Sequence, residues 1–257
     1  MIVVYKGVNI FYTDKGKGST VVLLHGFLEN STMWNGITEE LSKRNRVVSV
    51  DLLGHGKSDC LGYVHTMEDM AEVVKAVLKQ LKIRKAIFIG HSMGGYVSLA
   101  FANKYPKNVK GVCLMNSTAQ EDDEERKEIR KKASKIVQQN FNMMVKMAIN
   151  NLFASASKEL FSNEIEKVLN EALKTPVRGY MASNEGMRLR KNSEEVLEQI
   201  QKRIIIAGKE DPVLNYESIK REAIRTNTDL KVLANGHMSH IENKKELLET
   251  LLEFIRS

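Results

Sequence analysis

The feature that most restricts how this chain can fold is the alternation of short β-branched runs with longer helical patterns. Val21 to Leu24, Val47 to Val50, Ala86 to Ile89, Val109 to Met115, Ile204 to Ala207 and Leu230 to Leu233 are apolar runs of strand length. Such alternation predicts parallel strands joined by helices, an α/β architecture. Ahead of these runs, Ile2 to Tyr5 and Val8 to Tyr12 flank Lys6-Gly7 and read as a hairpin, and Lys15 to Gly18 makes the next turn. The hairpin supplies an antiparallel edge. Met70, Val73, Val74, Val77, Leu78 and Leu81 share one face at helical spacing, with Thr66 and Asp69 arranged as a cap at the start of that helix. The last helix repeats the pattern through Ile241, Leu247, Leu248, Leu251, Leu252 and Ile255, so helices cover both faces of the sheet.

The alternation stops between Ala119 and Lys191, where several helical stretches occur and no strand does. Residues 119–191 therefore read as a helical cap inserted into a core made of 1–118 and 192–257. Within it Phe141, Met143, Met144, Met147, Leu152 and Phe153 either line a pocket or hold the insert to the core, and periodicity does not separate the two. A length of 257 residues suits one core with such an insert, and 42% hydrophobic against 28% charged residues is the balance of a globular protein.

The net charge of +7 comes from basic residues mostly interleaved with acidic ones. Even the densest basic stretch, Arg126 to Lys135, follows the acidic run Glu121 to Glu125, so no stripe tracks phosphates and no nucleic-acid partner is expected. Cys60 and Cys113 have apolar neighbours and no metal-type spacing, which predicts free buried thiols. The first residues lack the pattern of a secretory leader and no run is long enough to span a bilayer, so a cytoplasmic location without a membrane partner is expected.

The chemistry is carried by Gly90-His91-Ser92-Met93-Gly94, which follows the run Ile87-Phe88-Ile89 and precedes a helical pattern from Tyr96 to Lys104. Strand, tight turn and helix are the context of a nucleophile elbow, in which flanking glycines let backbones pass closely and leave the serine Oγ exposed. By composition alone the five-residue pattern arises in roughly one chain in ten of this length. Three further signals raise its weight. A serine hydroxyl needs an imidazole to accept its proton, and the imidazole needs a carboxylate to fix its tautomer, in the chain order serine, acid, histidine.

Asp211 follows the strand ending at Ala207 through Gly208-Lys209-Glu210, and His237 follows the strand ending at Leu233 through Ala234-Asn235-Gly236. Both lie at the carboxyl ends of strands, the edge where Ser92 emerges. Glu210 competes with Asp211, and His240 with His237. The order and the preceding glycine favour Ser92, Asp211 and His237 as the catalytic residues, whereas His240 falls in the final helix. An oxyanion needs backbone donors. The residue after the nucleophile supplies one, here Met93, and the loop after an early strand supplies the other, here Phe27 in His25-Gly26-Phe27. Asp51 to Ser58 reads as a structural loop, with His55 a satisfied loop histidine. His237 and His240 have metal-ligand spacing but no third ligand in a recognisable motif, so no metal is expected.

On these residues, His25-Gly26-Phe27, Asp51 to Ser58, Gly90 to Gly95, Gly208 to Pro212 and Gly236 to Glu242, the sequence resembles the α/β-hydrolase superfamily, most of all its small capped carboxylesterases and enol-lactonases. The resemblance implies an eight-stranded, mostly parallel sheet, acyl-enzyme chemistry and no cofactor. It implies a small ester or lactone as substrate and a monomer or homodimer. Expected substrate contacts are Gly26, Trp34 and His91 from the core, and Phe141, Met144 and Arg190 from the insert. Relatives that dehalogenate or open epoxides have aspartate at the place of Ser92, which disfavours those reactions. Some relatives keep their acid at the place of Asn116, where an amide cannot play that part. Relatives with the same triad also cleave carbon-carbon bonds, for which Arg188 and Arg190 offer anchors unless they serve as salt bridges. A receptor that retains the fold is the non-enzymatic alternative.

Overall fold

A computed structural model describes residues 1–257. Its strands are β1 (Ile2–Tyr5), β2 (Val8–Lys15), β3 (Ser19–Leu24), β4 (Asn45–Val50), β5 (Ala86–His91), β6 (Val109–Met115), β7 (Arg203–Gly208) and β8 (Asp229–Leu233). Its helices are α1 (Asn35–Leu41), α2 (Met67–Gln80), α3 (Met93–Lys104), α4 (Glu124–Ile136), α5 (Phe141–Asn150), α6 (Ser157–Leu160), α7 (Ser162–Ala172), α8 (Val177–Leu189), α9 (Glu194–Gln199), α10 (Tyr216–Arg225), α11 (Ser239–Glu242) and α12 (Lys244–Arg256).

All eight strands join one sheet in the order β1-β2-β4-β3-β5-β6-β7-β8. β2 runs antiparallel to β1 and β4, and the remaining neighbours are parallel. The sequence pattern ends β2 at Tyr12, but the strand continues through polar residues to Lys15. Tyr12 to Lys15 pair with Val50 to Val47 of β4, and Arg46 grips Asp14 through Nη2 at 2.7 Å and Nε at 3.0 Å.

The strands have two buried faces. Val22 and Leu24 of β3, Phe88 of β5, and Val112 and Leu114 of β6 enter a core shared with α2, α3 and α10. Their neighbours Val21, Leu23, Ile87, Ile89, Cys113 and Met115 point the other way, into a core shared with α1 and α12. This is the two-residue period of a strand. At the start of α2 the Thr66 hydroxyl accepts from the Asp69 amide at 3.0 Å and donates to its carboxylate at 2.6 Å, closing the cap. Cys113 is a buried free thiol, and Cys60 is free and only half-buried. No helix is long and apolar enough to cross a membrane.

Two consequences position a site. β3 lies between β4 and β5, so the chain leaves β3 toward one side and β5 departs toward the other; the carboxyl ends of these strands border the crevice that such a switch creates. Helices α4 to α8 intervene between β6 and β7, and an apolar cluster joins Val145, Ile149, Phe153 and Tyr180 from this segment to Leu28 and Met238 of the sheet's loops. The chain rejoins the main core at α9, where Leu197 is buried.

Candidate active site

Ser92 occupies the turn between β5 and α3 with φ 49° and ψ −113°, a conformation costing a non-glycine residue about 1–3 kcal/mol. The surroundings hold it there. Its amide donates to Met115 O of β6 at 3.0 Å, and the Ser117 hydroxyl donates to its carbonyl at 2.7 Å. Side chains are excluded around it: a Cβ on Gly90 would stand 2.3 Å from the Gly94 backbone, and one on Gly94 would stand 2.1 Å from Leu24 O. Sterics at those glycines thus allow α3 to start directly against β3. The Met93 amide opens α3, where the first backbone donors have no partner within the helix.

Asp211 lies three residues beyond β7. Its Oδ1 accepts from the amides of Val213 at 2.8 Å and Leu214 at 3.0 Å, and its Oδ2 accepts from His237 Nδ1 at 2.7 Å. Burial alone raises this carboxyl. The charge and hydrogen bond of His237, with the Leu214 and Val213 amides, outweigh that effect and hold Asp211 below the usual range. An ionised Asp211 fixes the proton on His237 Nδ1 and leaves Nε2 free to accept another. His237 and Ser92 line the same cavity of about 100 Å³, together with Phe27 from the loop after β3.

Residues outside the expected triad brace this arrangement. Asn116, with φ 44°, donates its amide to Asp211 Oδ2 at 3.2 Å and to Gly236 O at 3.1 Å, tying the acid loop to the histidine loop. Glu242 accepts from the amides of Gly236 at 3.2 Å and Met238 at 3.0 Å, one on each side of His237, and from Ala154 at 3.1 Å. Glu29 accepts from Gly26 N at 2.7 Å and contacts His91 Nδ1 at 2.6 Å, while His91 Nε2 meets His237 O at 3.0 Å. A carbonyl and a carboxylate both need donors, so His91 carries both protons and is an imidazolium. Burial lowers His91, but the Glu29 charge more than reverses this, and Glu29 is itself drawn down to about 2 against the opposing effect of burial. His25 and His55 pack ring to ring at 5.2 Å, and His55 meets Phe27 edge-on at 5.9 Å. Burial first, then His25, pushes His55 down to about 3, so it supports the Phe27 loop as a neutral ring.

The expected substrate contacts divide. His91 borders the cavity, whereas Gly26 is not among its lining residues and donates its amide to Glu29. Trp34 does not: its indole is fully buried on the opposite face of the sheet, against the core of α1 and α12, because the short turn after Asn30 carries it under β3 and β4. Phe141 and Met144 pack within the insert, Phe141 edge-on to Tyr180 at 6.4 Å. They share a helical stripe with Ala148, Ile149 and Leu152, and only that stripe's carboxyl end reaches the cavity.

Arg190 also misses the cavity. It stacks on Tyr96 at 4.0 Å and pairs with Asp122 at 2.9 Å, while Arg188 pairs with Glu185. The guanidinium groups that do line the cavity are Arg126 and Arg130 of α4, which the sequence presents only as part of its densest basic stretch. Both reach Asp122, at 3.5 and 2.5 Å. One fully buried carboxylate thus faces three guanidinium groups, which leaves the cavity wall positively charged. A sequence signal existed in the spacing of Arg126 and Arg130, which places them on one helix face.

Among solved structures the chain is similar to a thermophilic esterase from Thermogutta terrifontis, at 29% identity over 99% of this chain and 96% of that one, with a TM-score of 0.92. It also superposes on an enol-lactonase from Burkholderia xenovorans LB400 at 22% identity, covering all of both chains with a TM-score of 0.91, a likeness of fold. A 2-hydroxy-6-oxononadienedioate/2-hydroxy-6-oxononatrienedioate hydrolase of Escherichia coli K12 is 37% identical over 116 residues, 43% of this chain and 40% of that protein. The curated relatives it matches are aligned over only 30 to 44% of their own length. The family described as the α/β-hydrolase fold matches residues 19–244, which hold strands β3 to β8 and the helices between β6 and β7. With the strand order and the elbow at Ser92 in agreement, this chain belongs to the α/β-hydrolase fold family.

Proposed function

We propose that the chain hydrolyses small carboxylic esters or lactones through an acyl-enzyme on Ser92. The observation that carries this reading is the 2.7 Å bond from Asp211 to His237, whose ring lines one cavity with Ser92. His237 Nε2 takes the Ser92 proton as Oγ adds to the carbonyl, and the Phe27 and Met93 amides receive the oxyanion. Collapse breaks the ester C–O bond while His237 protonates the leaving alkoxide. A water deprotonated by His237 then adds to the acyl carbon, and Ser92 leaves with its proton restored. Asp211 orients the imidazole and balances its charge. Helices α4 to α8 act as a cap that limits substrate size, and a cavity of about 100 Å³ favours short acyl groups. The similarity to the thermophilic esterase supports ester hydrolysis.

Arg126 and Arg130 favour a substrate that carries a carboxylate near the scissile bond. The same pair supports a second reading, cleavage of a carbon-carbon bond beside a ketone in an acidic substrate, the kind of substrate named for the Escherichia coli relative.

A chain-length series of p-nitrophenyl esters, run with wild type and Ser92→Ala, tests the main reading. The expected result is turnover that is fastest for short acyl groups and falls on the order of a millionfold in the variant. Turnover unchanged in Ser92→Ala refutes it. Inert esters with cleavage of a vinylogous diketone select the carbon-carbon reading. For the carboxylate preference, Arg126→Gln should lower kcat/KM for p-nitrophenyl hemisuccinate about tenfold and leave the butyrate ester unchanged.

A further inference from the structure

Beside the elbow, three buried side chains converge from three separate parts of the chain. Glu29 comes from the loop after β3, His91 from the end of β5, and His240 from α11. One ligand-type atom from each lies within 4.8 Å of the other two. The group is not internally satisfied. Glu29 Oε1 and His240 Nδ1 are both buried without a hydrogen-bond partner, although each such atom costs about 1–3 kcal/mol when left unmet. The reading proposed for Ser92, Asp211 and His237 uses neither atom.

The cluster also has an access route. A cleft of about 480 Å³ between α1, α7 and α11 is bordered by both Glu29 and His240, while Glu29 and His91 also border the smaller cavity over Ser92. Two imidazoles and one carboxylate are a borderline donor set, suited to zinc, cobalt or nickel rather than to calcium or magnesium. A fourth position open to water from the cleft completes a tetrahedron.

We propose that Glu29, His91 and His240 bind one divalent transition-metal ion of the zinc class, admitted through the cleft beside α7. Binding breaks the N–H bond at His91 Nδ1, releases that proton to solvent and forms a nitrogen-metal bond in its place, while Glu29 remains a carboxylate. Donor atoms around a tetrahedral ion stand about 3.3 Å apart, so the 2.6 Å contact between Glu29 and His91 widens by less than an ångström and the more distant imidazole closes in. His91 Nε2 keeps its bond to His237 O, serving as the outer hydrogen bond that metal-bound histidines usually make. The ion cross-links the loop of Phe27, the elbow and the loop of His237. The inference is independent of the reaction proposed for Ser92.

Cobalt(II) is the probe, because a four-coordinate ion reports its own binding through visible absorption. Titration of metal-free protein should give one equivalent bound, with the absorption intact in Ser92→Ala and affinity lowered on the order of a hundredfold in His240→Gln and Glu29→Gln. Zinc at a hundredfold excess over its Kd should raise the Tm of the wild type by about 5 °C or more. Wild-type protein that takes up no stoichiometric cobalt, or a His240→Gln variant that binds as tightly as wild type, overturns the proposal. Anomalous scattering from cobalt-soaked wild-type crystals decides it without any variant: a peak among the three side chains supports it, and a peak on His237 or at the surface only refutes it.

Discussion

Replacing Asp211 with asparagine probes the site through a conflict of hydrogen-bond donors. Both Asp211 oxygens are acceptors. Oδ1 serves two backbone amides, and Oδ2 serves His237 and the Asn116 amide. An asparagine can offer oxygen at only one of these places. With its NH2 turned toward Val213 and Leu214, two amides lose their partner at about 1–3 kcal/mol each. Turned the other way, the NH2 meets the Asn116 amide and forces His237 into the wrong tautomer. Either orientation removes the charge that stabilises the imidazolium, and kcat/KM should fall about ten-thousandfold, as in other serine triads.

The structure also predicts a partial rescue. Asn116 donates to the same oxygen that accepts from His237, so a carboxylate at 116 stands within about 6 Å of the imidazole. At an effective dielectric constant near 20 that charge is worth about 3 kcal/mol, or roughly a hundredfold in rate. Asp211→Asn with Asn116→Asp should therefore run about a hundred times faster than Asp211→Asn alone. The assay is kcat/KM on a short p-nitrophenyl ester, with circular dichroism to verify folding. Activity of Asp211→Asn within tenfold of wild type refutes the role of Asp211. A folded double variant no faster than the single one refutes the electrostatic account of Asn116.

Asp122→Asn removes the carboxylate shared by Arg126, Arg130 and Arg190 and should cost about 3 kcal/mol at neutral pH, measured by urea unfolding. Burial raises Asp122, but Arg130 and Arg190 hold it below its ordinary 3.8 overall. Its stabilisation is therefore complete above that pH and is lost as pH falls below it, so the gap between wild type and variant should close in acid. Gly94→Ala drives a Cβ to 2.1 Å from Leu24 O and should destabilise the fold by about 3 kcal/mol while abolishing activity; a thermal melt and the ester assay check both. Trp34→Phe should lower Tm through lost core packing and leave KM within twofold, because the indole sits across the sheet from the cavity.

Much of this architecture was legible in the residues themselves. The six apolar runs are β3 to β8, and the hairpin and the face of α2 lie where periodicity puts them, as does the face of α12 from Leu247 onward, whereas Ile241 falls in the separate helix α11 and packs with the cluster of Phe153 and Met238. The polar end of β2 escaped detection because Asp14 and Lys15 lack strand character and, like Thr13, are paired with β4. In the site, the elbow was recognisable from glycine spacing, since the sterics that demand Gly90 and Gly94 arise within one turn. Arg126 and Arg130 were not, because α4 reads as a charged helix until Asp122 and the cavity are beside it. Trp34, Phe141, Met144 and Arg190 were expected at the substrate, and the structure puts them in cores and ion pairs instead.

The sequence by itself determined the alternation of strand and helix, the strained turn at Ser92 and the order in which serine, acid and histidine follow one another. These depend on side-chain period and backbone sterics over a few residues, which any short segment carries with it. Only the tertiary structure decided which arginines face the cavity, that Asn116 and Glu242 brace the acid and histidine loops, and that Glu29, His91 and His240 meet. Those pairings join residues up to 211 positions apart, and they follow from how the sheet orders its strands and closes the insert over them. Burial then sets the strength of each charge, and burial is a property of the packed whole.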